Sequence, residues 1–216
     1  MKKYLVVLIA VFVSLQMTAQ TKKSTVKRPL RQTVLQNSKP KEQLVEVKDT
    51  VVVFNFVADT SDVSESSCLK TSLGTNYYVV PFSKKTAHEL YNDILVRIAH
   101  LYKSPERVTE KVEDKSIVIN GYGNYITKQT SRGFLISVSY KLEFNFKDGR
   151  VRVNGPCFSS FDELSMRTGQ EFNNLSAGYI WTLGQNNEID VIHQIEQYFN
   201  KLVTDLVYGD KNNEDW

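Results

Sequence analysis

Three histidines and two cysteines bound the chemistry open to this chain. His88 and His100 lie at opposite ends of one amphipathic stretch and His193 lies in another, so no His-x-x-x-His pair exists. No Cys-x-x-Cys occurs either, and zinc sites depend on such spacings to bring two ligands to one face. No metal and no cofactor is therefore expected. Cys157 follows "NGP" with no histidine near it in the sequence. A cysteine nucleophile needs a positioned base, and only a spatial approach of His193 would supply one. The adjacent carboxylates Glu113/Asp114 and Asp162/Glu163 read as solvated turn residues. "GYG", Gly121 to Gly123, lacks the third glycine of a phosphate loop and sits inside a strand rather than before a helix. No catalytic residue is assigned, and the chain is read as a non-enzyme.

What remains is a surface. In "FLISVSYKLEFNF", Phe134 to Phe146, one alternate set is apolar throughout: Phe134, Ile136, Val138, Tyr140, Leu142, Phe144 and Phe146. The other set runs Leu135, Ser137, Ser139, Lys141, Glu143, Asn145. The preceding "IVINGYGNY" alternates likewise, with Asn120, Tyr122 and Asn124 on its polar side. After the hairpin signal Lys147-Asp148-Gly149, "RVRVN" turns Val151 and Val153 inward and Arg150 and Arg152 outward. If all helices cover the apolar side, the other side displays a polar platform. Its candidate binding residues are Tyr122, Asn124, Lys141, Arg150 and Arg152. Forked guanidiniums, amides and an aromatic ring suit a carboxylate, a glycan or a partner loop.

Two elements are available as the cover. "TAHELYNDILVRIAHLYKSP" starts with the capping-box pair Thr86/Glu89 and repeats apolar residues at three and four from Ala87 to Tyr102. Ser104 and Pro105 end it. "NNEIDVIHQIEQYFNKLVTDLVYG" carries the stripe Ile189, Ile192, Ile195, Phe199, Leu202, Val203, Leu206, with Gly209 as C-cap. "NYYVVPF", 76–82, is a short strand, and Glu106 to Ile126 reads as two strands hinged at "EDK". A strand as long as 134–146 calls for strong twist or a bulge near Tyr140. Gly121 and Gly123 would let a helix approach the sheet. Residues 155–186 show no sustained period and are read as an irregular insertion, with a short helix near Phe161 and a short strand near Tyr179.

The ends differ in kind. "MKKYLVVLIAVFVSLQMTAQ" has a basic start, an apolar run and a small residue before the cut, the outline of a signal peptide over 1–19. Without Lys2 and Lys3, 25 basic residues face 24 acidic ones. Seven bases and no acids fall between Thr21 and Lys41, which leaves the remainder at 18 against 24. Residues 20–45 therefore read as a disordered basic linker, suited to an anionic envelope surface. Nucleic acid is not an expected partner, since the charge excess lies in that tail. Residues 46–75 form an arm or an extra strand (Val51 to Val57), 76–209 one α+β domain, and 210–216 a flexible acidic tail. No membrane span is expected after signal removal. Export permits a disulfide, and Cys68 and Cys157 are either bridged or two separate thiols.

The element order, strand, helix, four antiparallel strands, helix, is that of the TBP-like fold, β-α-β-β-β-β-α with two helices packed on one face. The stretches "VPFSKKTAHELYNDILVRIAHLY", "IVINGYGNY" and "YKLEFNFKDGRVRV" resemble the domain-of-unknown-function 4468 family, exported proteins mainly of Bacteroides-type bacteria. The resemblance covers about Tyr77 to Val153 and implies no catalytic residues. The expectation is an exported, periplasmic or secreted, binding or adaptor module of the cell envelope. It would engage an envelope protein or a small polar or anionic ligand on the open face. Two alternatives stand beside it: a hydrolase or hydrolase inhibitor with its site in 155–186, and a purely structural envelope component.

Overall fold

The computed structural model describes residues 50–59, 67–127, 133–185 and 189–209. The expected signal peptide, basic linker and acidic tail lie outside the described residues. In chain order the elements are β1 (Phe56–Val57), β2 (Lys70–Thr71), β3 (Tyr77–Pro81), α1 (Ala87–Leu101), α2 (Pro105–Val108), β4 (Thr109–Val112) and β5 (Ser116–Gly123). There follow β6 (Phe134–Lys147), β7 (Arg150–Asn154), β8 (Cys157–Ser165), β9 (Glu171–Leu175), α3 (Ala177–Gln185) and α4 (Ile189–Tyr208). Strand order is β3-β7-β6-β5-β4, all neighbours antiparallel, with β8 also on β6 and β9 on β8. This is the expected α+β fold, an antiparallel sheet with helices on one side.

The alternation of 134–146 is realised as a 14-residue β6 at the centre. Ile136, Val138, Tyr140, Leu142, Phe144 and Phe146 are buried, together with Ile117 and Ile119 of β5 and Val151 and Val153 of β7. Their roof is the α1 stripe Leu90, Tyr91, Ile94, Ile98 and the α4 stripe Val191, Ile192, Ile195, Phe199, Val203, Leu206. The capping box forms as read: Thr86 accepts from the Glu89 N–H, and the Glu89 carboxylate accepts from the Thr86 N–H at 2.7 Å. That contact holds the Glu89 pKa below its ordinary value. The other end of the helix layer is closed by Arg97 of α1, whose Nη1 donates to the last-turn carbonyls of Leu206 and Val207 at 3.2 and 2.6 Å.

Residues 155–185 of the expected irregular insertion are regular structure. β7 and β8 together form one return arm along β6, interrupted at Gly155-Pro156. Phe146 faces Val151 and Tyr140 faces Phe158, so six steps on β6 match seven on the arm. One step further, Ser139 faces Ser160, and Ser159 is left as a second extra residue. Each insertion exchanges the inward and outward positions. Inward residues therefore run Val151, Val153, then Phe158, then Phe161, Glu163 and Ser165. That double slip erases the period of two in the sequence. Phe161 lies on strand β8 and not on a short helix. Tyr179 lies on helix α3 and not on a strand. The β-prone "GYIWT" is helical because Ile180, Trp181 and Leu183 are buried there, Trp181 against Phe158 and Phe161. The bulge expected near Tyr140 is present, with its extra residue on the partner strand.

The arm at 46–75 is ordered where it is described. β1 pairs with β2, and its other edge lies along α4. The Val52, Phe56 and Ala58 N–H groups donate to Tyr208 Oη, Asn200 Oδ1 and Glu196 Oε1, at 2.8, 2.7 and 2.8 Å. Three helix side chains, four and then eight residues apart on one face, thus stand in for a neighbouring strand. β2 is tied down at the break in the return arm. Leu69 N–H donates to Pro156 O at 2.9 Å, Phe158 N–H to Ser67 O at 2.6 Å, and Cys68 is disulfide-bonded to Cys157. A Cβ on Gly155 would meet Leu69 O at 2.0 Å, so only glycine allows that approach.

Candidate functional site

The side of the sheet away from the helices is open. Lys141, Arg150, Arg152, Asn120, Tyr122 and Asn124 are exposed there, as the alternation requires. Ser137 is the exception, at 2% exposure. After β5 the chain folds back with Tyr125 at φ 49°, and the Tyr125 N–H donates to Ser137 Oγ at 3.0 Å. The glycines of β5 serve side chains rather than a helix backbone. Gly121 lies under the Tyr140 ring, and a Cβ on Gly123 would strike Ile126, with Tyr198 of α4 beyond it.

The five candidate residues do not converge on one point. Lys141 and Arg152 line a groove of about 580 Å³ with Glu143, Asn154 and the disulfide. Arg150 and Arg152 line a second, of about 550 Å³, with Tyr77, Val79, Lys115, Asn145, Phe146 and Lys147. Tyr122 and Lys141 share a third, of about 590 Å³, with Ser139 and Ser159. Tyr122 and Asn124 also border a small hollow of about 100 Å³ beside Asp162 and Glu171. Both make bonds within the fold: Tyr122 Oη donates to Asp162 Oδ2 at 3.1 Å, and Asn124 Oδ1 accepts from Ser137 Oγ at 3.2 Å.

Arg152 is held in place. Its guanidinium carbon sits 4.2 Å from the centre of the Tyr77 ring, and its Nε donates to Asn154 Oδ1 at 2.9 Å. Its Nη groups take no partner among the described residues. A fork oriented from below by a ring and from the side by an amide loses little freedom on meeting an anion. Lys115 and Lys147, absent from the candidate set, stand beside it. Lys147 was legible as the next member of the polar alternation after Asn145. Lys115 was not, because it reaches the groove from the β4–β5 turn, its carbonyl accepting from Phe146 N–H at 2.9 Å.

Of the groups considered for catalysis, Cys157 has no thiol, being in the bridge to Cys68. The Cys–His reading falls with it, and His193 lines neither groove that Cys157 does; its Nδ1 lies 3.6 Å from Glu196. Asp162 and Glu163 are not a solvated turn. They lie on β8, Asp162 accepting from Tyr122 and from Asn174 N–H at 3.0 Å, Glu163 at 2% exposure. Glu113 and Asp114 do form a turn, with Asp114 2.8 Å from His88 Nδ1. Among the described residues no group of three or more His, Cys, Asp or Glu is placed to hold a metal. No described helix is long and apolar enough to cross a membrane.

A phenol pair lies beneath the third groove. Tyr102 Oη and Tyr140 Oη are 2.5 Å apart. Burial pushes the Tyr102 phenol up to about 12, and burial followed by the neighbouring Tyr102 raises Tyr140. A phenol raised on folding keeps its proton longer in the folded chain than in the unfolded one. The associated stability is complete below the ordinary value of 10.0 and is lost as pH rises through about 12. Urea midpoints measured from pH 9 to 12 should therefore fall steeply for the wild type. The fall should be shallower for Tyr102→Phe/Tyr140→Phe.

No family model and no curated protein matches the chain. Two solved structures are similar. A TBP-like protein from Parabacteroides distasonis ATCC 8503 is 11% identical over 56% of this chain and 90% of its own, with a TM-score of 0.32. A DUF4468 family protein from Bacteroides ovatus ATCC 8483 is 10% identical over 60% of this chain and 79% of its own, with a TM-score of 0.35. These are the fold and the family that the sequence resembles. Likeness at this level carries no argument about function, and neither name includes an activity.

Proposed function

We propose that the chain is an exported, non-catalytic binding module of the cell envelope, and that its open sheet face engages a polar or anionic partner. The observation that carries the reading is Arg152, pre-oriented on Tyr77 with its outer nitrogens unengaged, amid exposed Lys141 and Arg150. The Cys68–Cys157 bridge supports the exported part, because disulfides persist in oxidising compartments.

The test is recovery of partners from envelope extract by immobilised wild type and by Arg150→Ala/Arg152→Ala. Partners retained by the wild type at 0.15 M salt and lost by the double variant are the expected result. Equal recovery by both would remove the platform from the reading. A chain that retains only further copies of itself would shift it to a structural envelope component. Export is checked by fractionating cells that produce the full chain and sequencing the mature amino terminus, expected to follow Ala19.

A further inference from the structure

The second groove holds four cations, Lys115, Lys147, Arg150 and Arg152, and no acid among its lining residues. Lys147 and Arg150 are direct cross-strand partners across the β6–β7 hairpin. Like charges so placed oppose folding. The acids of the hairpin and of the β4–β5 turn are directed to the helix layer. Asp148, between the two cations in the hairpin, accepts from Ala87 N–H at 2.8 Å and so serves the start of α1. Asp114, beside Lys115, is engaged with His88 of the same helix. Glu113 shares that turn but does not line the groove. Glu143, the next acid along β6, lines the adjoining groove and accepts from Asn145 Nδ2 at 3.0 Å. At this corner the hairpin and turn carboxylates Asp148 and Asp114 serve the helix side, Glu143 stays in the adjoining groove, and the four bases gather on the open side.

We infer that this corner is the seat of an extended acidic peptide from a partner protein, with carboxylates at alternate positions meeting Arg150 and Arg152. The inference rests on the open-face reading above and names the partner's chemistry. Arg150 and Arg152 project from one face of β7 about 7 Å apart, the spacing of alternate side chains in any extended chain. Beside them on β3, Val79, directly across from Arg152, and Tyr77 are 45% and 42% exposed, an apolar floor for the peptide backbone. A compact phosphate is served less well. β7 is paired on both edges, so its backbone N–H groups are spent in the sheet. The nearby helix start is already filled by Thr86, Glu89 and Asp148. Recognition falls to side chains spread over two strand ends and a turn, which suits charges strung along a chain.

The probes are an acetylated heptapeptide alternating glutamate with serine, its isomer with the glutamates in two adjacent pairs separated by two serines so that none stand two apart, inorganic triphosphate, and phosphatidylglycerol vesicles. Titration into the full chain should show the alternating peptide binding at least about threefold more tightly than its isomer. Arg150→Ala/Arg152→Ala should weaken it about tenfold or more, and Arg167→Ala, in the exposed turn between β8 and β9, less than about twofold. Separately, Lys147→Gln without ligand should raise the urea midpoint, because it removes the cross-strand repulsion. An unchanged or lowered midpoint would overturn the stored-charge argument. Absence of peptide binding, or equal affinity for both isomers, would overturn the peptide. Tighter binding of triphosphate or vesicles, lost in the double variant, would reassign the corner to a phosphate or a lipid headgroup. Loss in Lys141→Ala but not in the double variant would reject the corner and leave the open-face reading standing.

Discussion

Replacing Cys68 and Cys157 by serine is expected to cost about 4 kcal/mol of folding stability, read as a lowered urea midpoint with a steeper slope, because the unfolded chain expands without the bridge. The bridge spans a sequence separation of 89 residues. Closing a loop of that length removes much of the unfolded chain's freedom, about 4–5 kcal/mol in the chain-entropy description. The loss should come mainly from the unfolded side, since Leu69 and Ser67 keep their backbone bonds to the return arm when the sulfurs are gone. Reduction of the wild type should reproduce the shift. A midpoint unchanged by both treatments would mean that the bridge constrains nothing the sheet does not already fix.

Phe199→Ala should be the most damaging single core substitution, at about 3–5 kcal/mol. Phe199 of α4 is fully buried against aromatic rings from both β6 and β8. Its ring centre is 4.9 Å from Tyr140, 5.1 Å from Phe158 and 5.1 Å from Tyr198. The cavity left would be framed by β strands on one side and by the rest of α4 on the other, neither free to collapse. Thermal unfolding in parallel with Leu202→Ala, a half-buried residue of the same helix, gives the comparison. A loss for Phe199→Ala no larger than for Leu202→Ala would show that the aromatic junction is not what holds the helix down.

The long regular elements were legible because one face of each is buried without interruption. The capping pair Thr86/Glu89, the α4 stripe from Ile192 to Leu206 and the inward set of β6 all follow from that. So does the exposure of Tyr122, Asn124, Lys141, Arg150 and Arg152. The return arm past Asn154 was not legible, because its two extra residues each reverse the alternation and hide the strand that carries Phe158, Phe161 and Glu163. Local preference misled at Tyr179, where burial of Trp181 decides for helix. The fate of the cysteines depended on a break in pairing at Gly155-Pro156 that only the assembled sheet reveals. The basic corner was half legible: the arginines stand in an alternating strand, whereas Lys115 arrives from a turn.

Covalent closure between Cys68 and Cys157 makes a ring that contains β3, α1 and β4 through β7, while β9, α3 and α4 hang outside it. A protease that cuts the chain once between residues 69 and 156 therefore leaves two pieces still tethered, running as one species until a reductant is added. A single cut between residues 166 and 176 instead leaves α3 and α4 held by packing alone, so that denaturant without reductant separates a carboxy-terminal fragment carrying the α4 half of the roof. The bridge thus keeps together a chain nicked anywhere within its ring, α1 included, and does nothing for a nick ahead of α4.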